Sequence, residues 1–268
     1  MTSIKKKPII QIRDLVTSYG DLTVLNGLNL DIYEDETFVI LGRSGCGKST
    51  LLRHLIGLQK PTSGEILLYG QDMARMSEDE NVEVLKKIGM LFQGSALFNS
   101  MTLADNVALA LQEHTNLEDS TIQIMARMKL DMVGLSGFED FMPSQLSGGM
   151  RKRAGLARAI AMDPEVLFCD EPSAGLDPIV AAGIDELLLK LRQAFQMTLV
   201  VVTHEMASVE LIADRIAMMH NGKILAVGTT EEIKNNQHSY IQQFMKREAD
   251  KEEVDREKLL NALTGNGF

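Results

Sequence analysis

The sequence predicts an α/β fold, a mainly parallel sheet with an N-terminal antiparallel β subdomain and an inserted α-helical subdomain. Three observations carry this. Short, largely apolar runs at 37–41, 166–169 and 198–203 have the pattern of strands buried on both faces. Helical patterning lies between them, so the connections are crossovers and the strands run parallel. Residues 100–160 contain no convincing strand, yet their apolar side chains recur at helical spacing.

In chain order, the first 35 residues read as extended, with Ile10 and Ile12 on one side of a turn at Gly20 and Asp21, and Val24, Leu28, Leu30 and Ile32 on the other. This is an antiparallel entry sheet. The strand over 37–41 (TFVIL) runs into a Gly-rich loop and then a helix over 48–57. The helical insertion spans about 95–160, where Val107 and Leu111, then Ile122, Met125, Met128 and Met132, keep helical spacing. Its methionines read as core filling rather than as a binding surface. After the strand over 166–169, a helical segment around 184–195 leads to the strand over 198–203. Residues 216–219 and 224–227 flank Asn221-Gly222, a pair that tolerates the positive φ angles of a type I′ turn, so they form a hairpin. A helix follows from Glu231. The expected organisation is one domain over 1–245 and a charged tail over 246–268. Leu259, Leu260, Leu263 and Phe268 give that tail an apolar cluster suited to docking on a neighbour, the alternative being a frayed end.

Charge and cysteine usage narrow the function. Among 268 residues, 27 Lys and Arg face 37 Asp and Glu, a net charge of −10, which argues against nucleic acid as a partner. No apolar run approaches the roughly 18 residues that span a bilayer, and no signal-peptide pattern opens the chain, so any membrane role comes through a partner. Two cysteines, Cys46 and Cys169, make no disulfide framework, and a reducing cytoplasm is the simplest location.

The chemistry concentrates in two motifs. Gly42-Arg43-Ser44-Gly45-Cys46-Gly47-Lys48-Ser49 fits G-x-x-x-x-G-K-[ST], directly between a strand and a helix. Its glycines let backbone N–H groups turn around phosphate oxygens, and the helix N-terminus adds partial positive charge. Lys48 reaches the β- and γ-phosphates and Ser49 holds Mg²⁺, with Thr50 next along the helix. At the end of a buried strand, Asp170 suits Mg²⁺ and Glu171 suits deprotonating an attacking water, whereas an acidic helix-entry turn before Pro172 is the plain alternative. Cys46, beside Lys48 at a helix N-terminus, is either an activated thiolate or an inert small side chain.

Leu146-Ser147-Gly148-Gly149-Met150 opens a helical run, and here the chain resembles the ATPase subunits of ABC transporters over roughly residues 8–235. The resemblance implies a RecA-like P-loop NTPase fold, ATP and Mg²⁺ as cofactors, and a homodimer with two sandwiched nucleotides. Ser147, Gly148 and Gly149 would then grip the γ-phosphate held by the opposite subunit. By the same resemblance Tyr19 stacks on adenine, Gln93 touches Mg²⁺ and the attacking water, His204 contacts the γ-phosphate and helps hold Glu171, and Asp177 meets the partner subunit. Two departures stand out: Met150 replaces the usual Gln, and Ala174-Gly175 replaces Ser-Ala in the interface loop. Met150, the 92–98 segment and the 148–153 run are similar to ATPases of Mla-type phospholipid transporters of Gram-negative envelopes. That implies a polytopic permease, an MCE-domain lipid-binding protein and a small STAS-domain protein as partners, with the ATPase peripheral on the cytoplasmic side of the inner membrane. A small-solute importer and a non-transport ABC ATPase are the alternatives. A regulatory module without turnover is disfavoured by the joint presence of Glu171 and His204.

Overall fold

The computed structural model describes residues 7–249 except residue 74. Two long strands, β1 (Pro8–Tyr19) and β2 (Leu22–Tyr33), pair antiparallel about Gly20, which sits at φ 58°, where a Cβ would be strained. β3 (Thr37–Leu41) buries all five side chains, as a strand covered on both faces must, and α1 (Lys48–Leu55) follows the glycine loop. Next come β4 (Ser63–Leu68) and β5 (Gln71–Asp72), then α2 (Glu78–Leu85), started by a reciprocal capping box between Ser77 and Glu80. β6 (Ile88–Leu91) precedes the insertion, which consists of α3 (Leu103–His114), α4 (Asp119–Met132) and the start of α5 (Gly148–Ala159). The remainder alternates: β7 (Val166–Asp170), α6 (Pro178–Phe195), β8 (Thr198–Thr203), α7 (Met206–Ile212), β9 (Arg215–His220), β10 (Lys223–Gly228), α8 (Thr230–Lys234) and α9 (Ser239–Met245).

The strands make two sheets, β2-β1-β4-β5 and β10-β9-β3-β8-β7-β6. All pairs of the second are parallel except the β9–β10 hairpin. Both predicted sheets are therefore present. β4, β5 and β6 are additions, too short or too mixed to read as strands from the sequence. The helix predicted at 184–195 starts earlier, at Pro178, because Asp177 caps it and proline suits the first turn.

One cluster joins the layers. Phe38 and Ile40 of β3, Phe168 of β7 and Val200 of β8 pack with Leu51, Leu52 and Leu55 of α1, and with Ile10 and Ile12 of β1. Burying each large apolar side chain contributes roughly 1.5 to 3 kcal/mol, so α1 is fixed on both flanks and the loop before it inherits that rigidity.

The insertion corrects one expectation. α3, α4 and α5 pack on one another, but the buried stripe of α4 is Ile122, Ala126, Lys129 and Leu130, while Met128 and Met132 are 53% and 43% exposed. The buried face of α4 thus runs through small Ala126, and those two methionines face outward. Lys129 is buried by pairing with Asp163 and lying 4.5 Å over the Phe195 ring. Residues up to Ile233 form one compact unit and those from Lys234 a second, in which His238 caps α9. The apolar cluster expected at residues 259–268 lies outside the described residues.

Candidate nucleotide and catalytic site

Strand register gathers the site. In the parallel sheet Leu41 pairs with Thr203 and Asp170 with Val202, so β3, β8 and β7 end level and their following loops leave at one edge. Ligands of open α/β sheets collect at this edge. Gly42 leaves β3 where an added Cβ would stand 2.4 Å from the Met219 carbonyl oxygen, so no side chain fits. Gly47 caps α1 at φ 107°. The first turn of α1 carries no acidic residue, leaving the positive end of its dipole uncompensated. Lys48 is buried and its ammonium donates to the carbonyls of Gly42 at 2.8 Å and Arg43 at 3.1 Å. Those carbonyls hold a charge that arriving phosphate oxygens can take over. Arg43, Ser44, Gly45 and Ser49 are exposed around it and Thr50 is half-buried.

Cys46 is 6% exposed, and burial pushes its thiol above the ordinary range against the smaller downward pull of Lys48. Of the two expectations for Cys46, burial favours the inert side chain, because desolvation outweighs the positive potential.

The two carboxylates behave differently. Asp170 Oδ1 is buried with no hydrogen-bond partner among the described residues. Burial and neighbouring Glu171 raise its pKa, with Lys48, Lys152 and Arg53 pulling it down. A carboxylate so placed calls for a cation. No cluster of three or more His, Cys, Asp or Glu among the described residues could hold a metal alone. That fits Mg²⁺, which takes one or two protein ligands and completes its shell with phosphate oxygens and water. Glu171 sits at φ 47°, its N–H donating to the Val202 carbonyl at 2.8 Å. Its Oε1 lies 2.8 Å from His204 Nδ1 and its Oε2 accepts from the Thr203 hydroxyl at 3.3 Å. The helix-entry alternative does not hold: a turn follows Pro172 and α6 begins only at Pro178, so Glu171 presents a carboxylate held at both oxygens rather than capping a helix.

The remaining predicted residues sit on other elements. Ser147 caps α5 by accepting from Met150 N at 3.3 Å, and Met150 is half-buried. An added Cβ on Gly149 would stand 2.7 Å from Val180 Cγ1, which ties the start of α5 to α6. Asp177 accepts from Ile179 N and Val180 N, both at 3.1 Å, so one oxygen caps its own helix. Tyr19 is 49% exposed and donates to Gln59 Oε1 at 2.7 Å. Gln93 is exposed two residues beyond β6.

With this geometry in place, a family model described as "ABC transporter" matches residues 25–174. The intermembrane phospholipid transport ATP-binding protein MlaF of Haemophilus influenzae is 43% identical over 90% of this chain and 92% of its own length. The chain belongs to the ABC transporter ATPases. A Mycobacterium leprae protein named a probable ribonucleotide transport ATP-binding protein is 39% identical over 88% of the chain and 68% of its own length. Among solved structures, a dimeric ATP-binding cassette in a post-hydrolysis state with ADP and Pi superposes with TM-score 0.76 at 31% identity, covering 82% of this chain and 98% of that one. A Clostridium perfringens cassette of an ABC transporter complex gives 0.78 at 28%, covering 90% and 96%. The RecA-like cassette fold, ATP binding, and ATP hydrolysis coupled to transport follow from this membership. No helix among the described residues is long and apolar enough to cross a membrane.

Two side chains of this ABC ATPase site escaped sequence reasoning. Thr203 is one. The other is Lys152, buried on the second turn of α5, whose ammonium donates to the Gln93 carbonyl at 2.5 Å and the Glu171 carbonyl at 2.9 Å. Burial lowers its pKa, and the Cys169 thiol, Asp170 and Glu171 act in the other direction. The sequence did hold a signal: Lys152 shares the i, i+3, i+4 stripe with buried Gly155 and Leu156.

Proposed function

We propose that this ATPase powers phospholipid movement between the membranes of a Gram-negative envelope, as a homodimer seated on the cytoplasmic face of a polytopic inner-membrane permease. The observation that carries the catalytic half is the 2.8 Å contact of Glu171 with His204 beside the partnerless oxygen of Asp170. For the lipid half, the support is 43% identity to a phospholipid-transport ATPase along nearly the full length of both chains. An MCE-domain lipid-binding protein and a small STAS-domain protein complete the proposed assembly.

Each side chain then has a task. Lys48 moves from the Gly42 and Arg43 carbonyls to the β- and γ-phosphate oxygens, while the glycine-loop N–H groups surround them. Tyr19 stacks on the base. Ser49, Gln93 and Asp170 would hold Mg²⁺, which supplies charge neutralisation on the phosphates. Glu171 accepts the proton of the attacking water. His204 Nδ1–H donates to Oε1, leaving Oε2, held only by the long Thr203 contact, as the better proton acceptor. Ser147, Gly148 and Gly149 complete the opposite subunit's site, and Asp177 reaches that subunit with the oxygen its helix does not use.

The mycobacterial relative motivates a second reading, a small-solute importer. The test is reconstitution of the ATPase with its co-purified membrane partner in proteoliposomes carrying fluorescent phospholipid. ATP-dependent transfer of lipid to acceptor vesicles is expected. Nucleotide uptake with no lipid transfer would establish the importer instead.

A further inference from the structure

We propose that the buried ammonium of Lys152 is a positioning group that locks the Gln93 loop and the Glu171 loop together, so that one helix sets both. The inference rests on the assignment of Glu171 and Gln93 to the hydrolytic step.

β6 and β7 are adjacent parallel strands in which Leu91 pairs with Cys169. Gln93 and Glu171 each lie two residues beyond that pair, so the ladder would continue through them if both strands ran on. Both strands instead end here, and Glu171 turns into the left-handed region. The carbonyls of Gln93 and Glu171 are left at the end of the sheet, and Lys152 Nζ takes both. Charge-assisted hydrogen bonds of this kind are stronger than neutral ones, and burial keeps water from replacing them. The two held carbonyls belong to the residues whose side chains are assigned to Mg²⁺ and to the attacking water.

Lys152 also lies five residues beyond Ser147 on the same helix, about 7.5 Å along its axis. The helix whose N-terminus is offered to the opposite subunit's nucleotide therefore grips this subunit's own catalytic loops one and a half turns later. A shift of α5 on dimer closure is passed through Lys152 to both loops, which couples the two half-sites without a contact to nucleotide.

The test uses the full-length protein with its membrane partner, comparing wild type, Lys152→Met, Lys152→Arg and Glu171→Gln. Lys152→Met should lower kcat about tenfold with KM for ATP within about twofold, because the phosphate loop is untouched. In the nucleotide-free protein, amide hydrogen exchange should quicken in peptides covering 92–96 and 171–175 but not along the rest of α5. Lys152→Arg, which keeps the charge and donors, should recover both readouts. If Lys152→Met does not fold, Lys152→Gln, neutral but still a donor, is read by the same criteria. The proposal is overturned if kcat stays within about twofold of wild type while Glu171→Gln abolishes turnover, or if exchange rises in one loop only or throughout α5. Failure of Lys152→Arg to restore a folded protein's kcat also overturns it. Retained turnover in Glu171→Gln would instead remove the underlying assignment.

Discussion

Gly89 offers a direct test of how the edge strand positions Gln93. An added Cβ there would stand 2.3 Å from the carbonyl oxygen of Ala159, the last residue of α5, and 3.0 Å from both Leu167 Cδ1 and Pro164 Cγ. The nearest atom is backbone and another belongs to a proline ring, so rotamer changes bring little relief. Restoring ordinary contact requires β6 to withdraw from α5 by roughly 1 Å, and overpacking of this kind costs about 1 to 3 kcal/mol. At about 2 to 4 °C per kcal/mol for a chain of this size, Gly89→Ala should lower Tm by about 2 to 12 °C. Gln93 lies four residues further on, so kcat should fall as well. Gly94→Ala is the control, because its Cβ would meet nothing within 4 Å. Thermal denaturation followed by circular dichroism, with ATPase assays on the same preparations, reads both effects. A Gly89→Ala protein melting within about 1 °C of wild type, with unchanged turnover, would refute the close packing of β6 on α5.

Two further predictions concern buried titratable groups. Cys46, with its thiol pushed up by burial, should react with alkylating reagents at least roughly tenfold more slowly than a free thiol at neutral pH, with or without Mg²⁺-ATP; fast labelling blocked by nucleotide would mean an activated thiolate after all. Asp185, buried on α6, has its pKa raised above the ordinary carboxylate value by burial, against a smaller lowering by the Ser208 hydroxyl and with a still smaller upward push from Glu205. The folded chain therefore keeps this proton over a pH range in which the unfolded chain has released it, so Asp185 costs stability as pH rises from about 4. Asp185→Asn should gain on wild type in urea midpoint as pH climbs from 4 towards 7, and a difference independent of pH would contradict this.

What the sequence made legible were the features whose cause is local. Buried β3, β7 and β8 are unbroken apolar runs, and the glycine loop, Asp170-Glu171 and His204 lie at or just beyond their ends. β6 was not legible because four residues containing a glycine carry no periodicity, and its role comes from pairing with β7. α2 was legible in principle, through the Ser77-x-x-Glu80 capping box. Met128 and Met132 misled because α4 has apolar residues on two faces, and only its packing on α3 and α5 decides which is buried. Cys46 stayed open for a different reason: proximity to Lys48 is visible in sequence, whereas the desolvation that outweighs it is not. Lys152 was legible as a member of the buried stripe of α5, but between two arginines nothing in the sequence shows the carbonyls it meets.

The central claim is that Glu171, held by His204, takes the proton of the attacking water, and Glu171→Gln tests it most directly. The amide oxygen can still accept from His204 Nδ1 and the side chain keeps its shape, so only proton acceptance is lost. Steady-state hydrolysis and ATP affinity should be measured together on the full-length protein with its membrane partner. Turnover should fall by roughly 10² or more while ATP affinity is kept and an ATP-bound dimer accumulates. Hydrolysis near the wild-type rate would contradict the account.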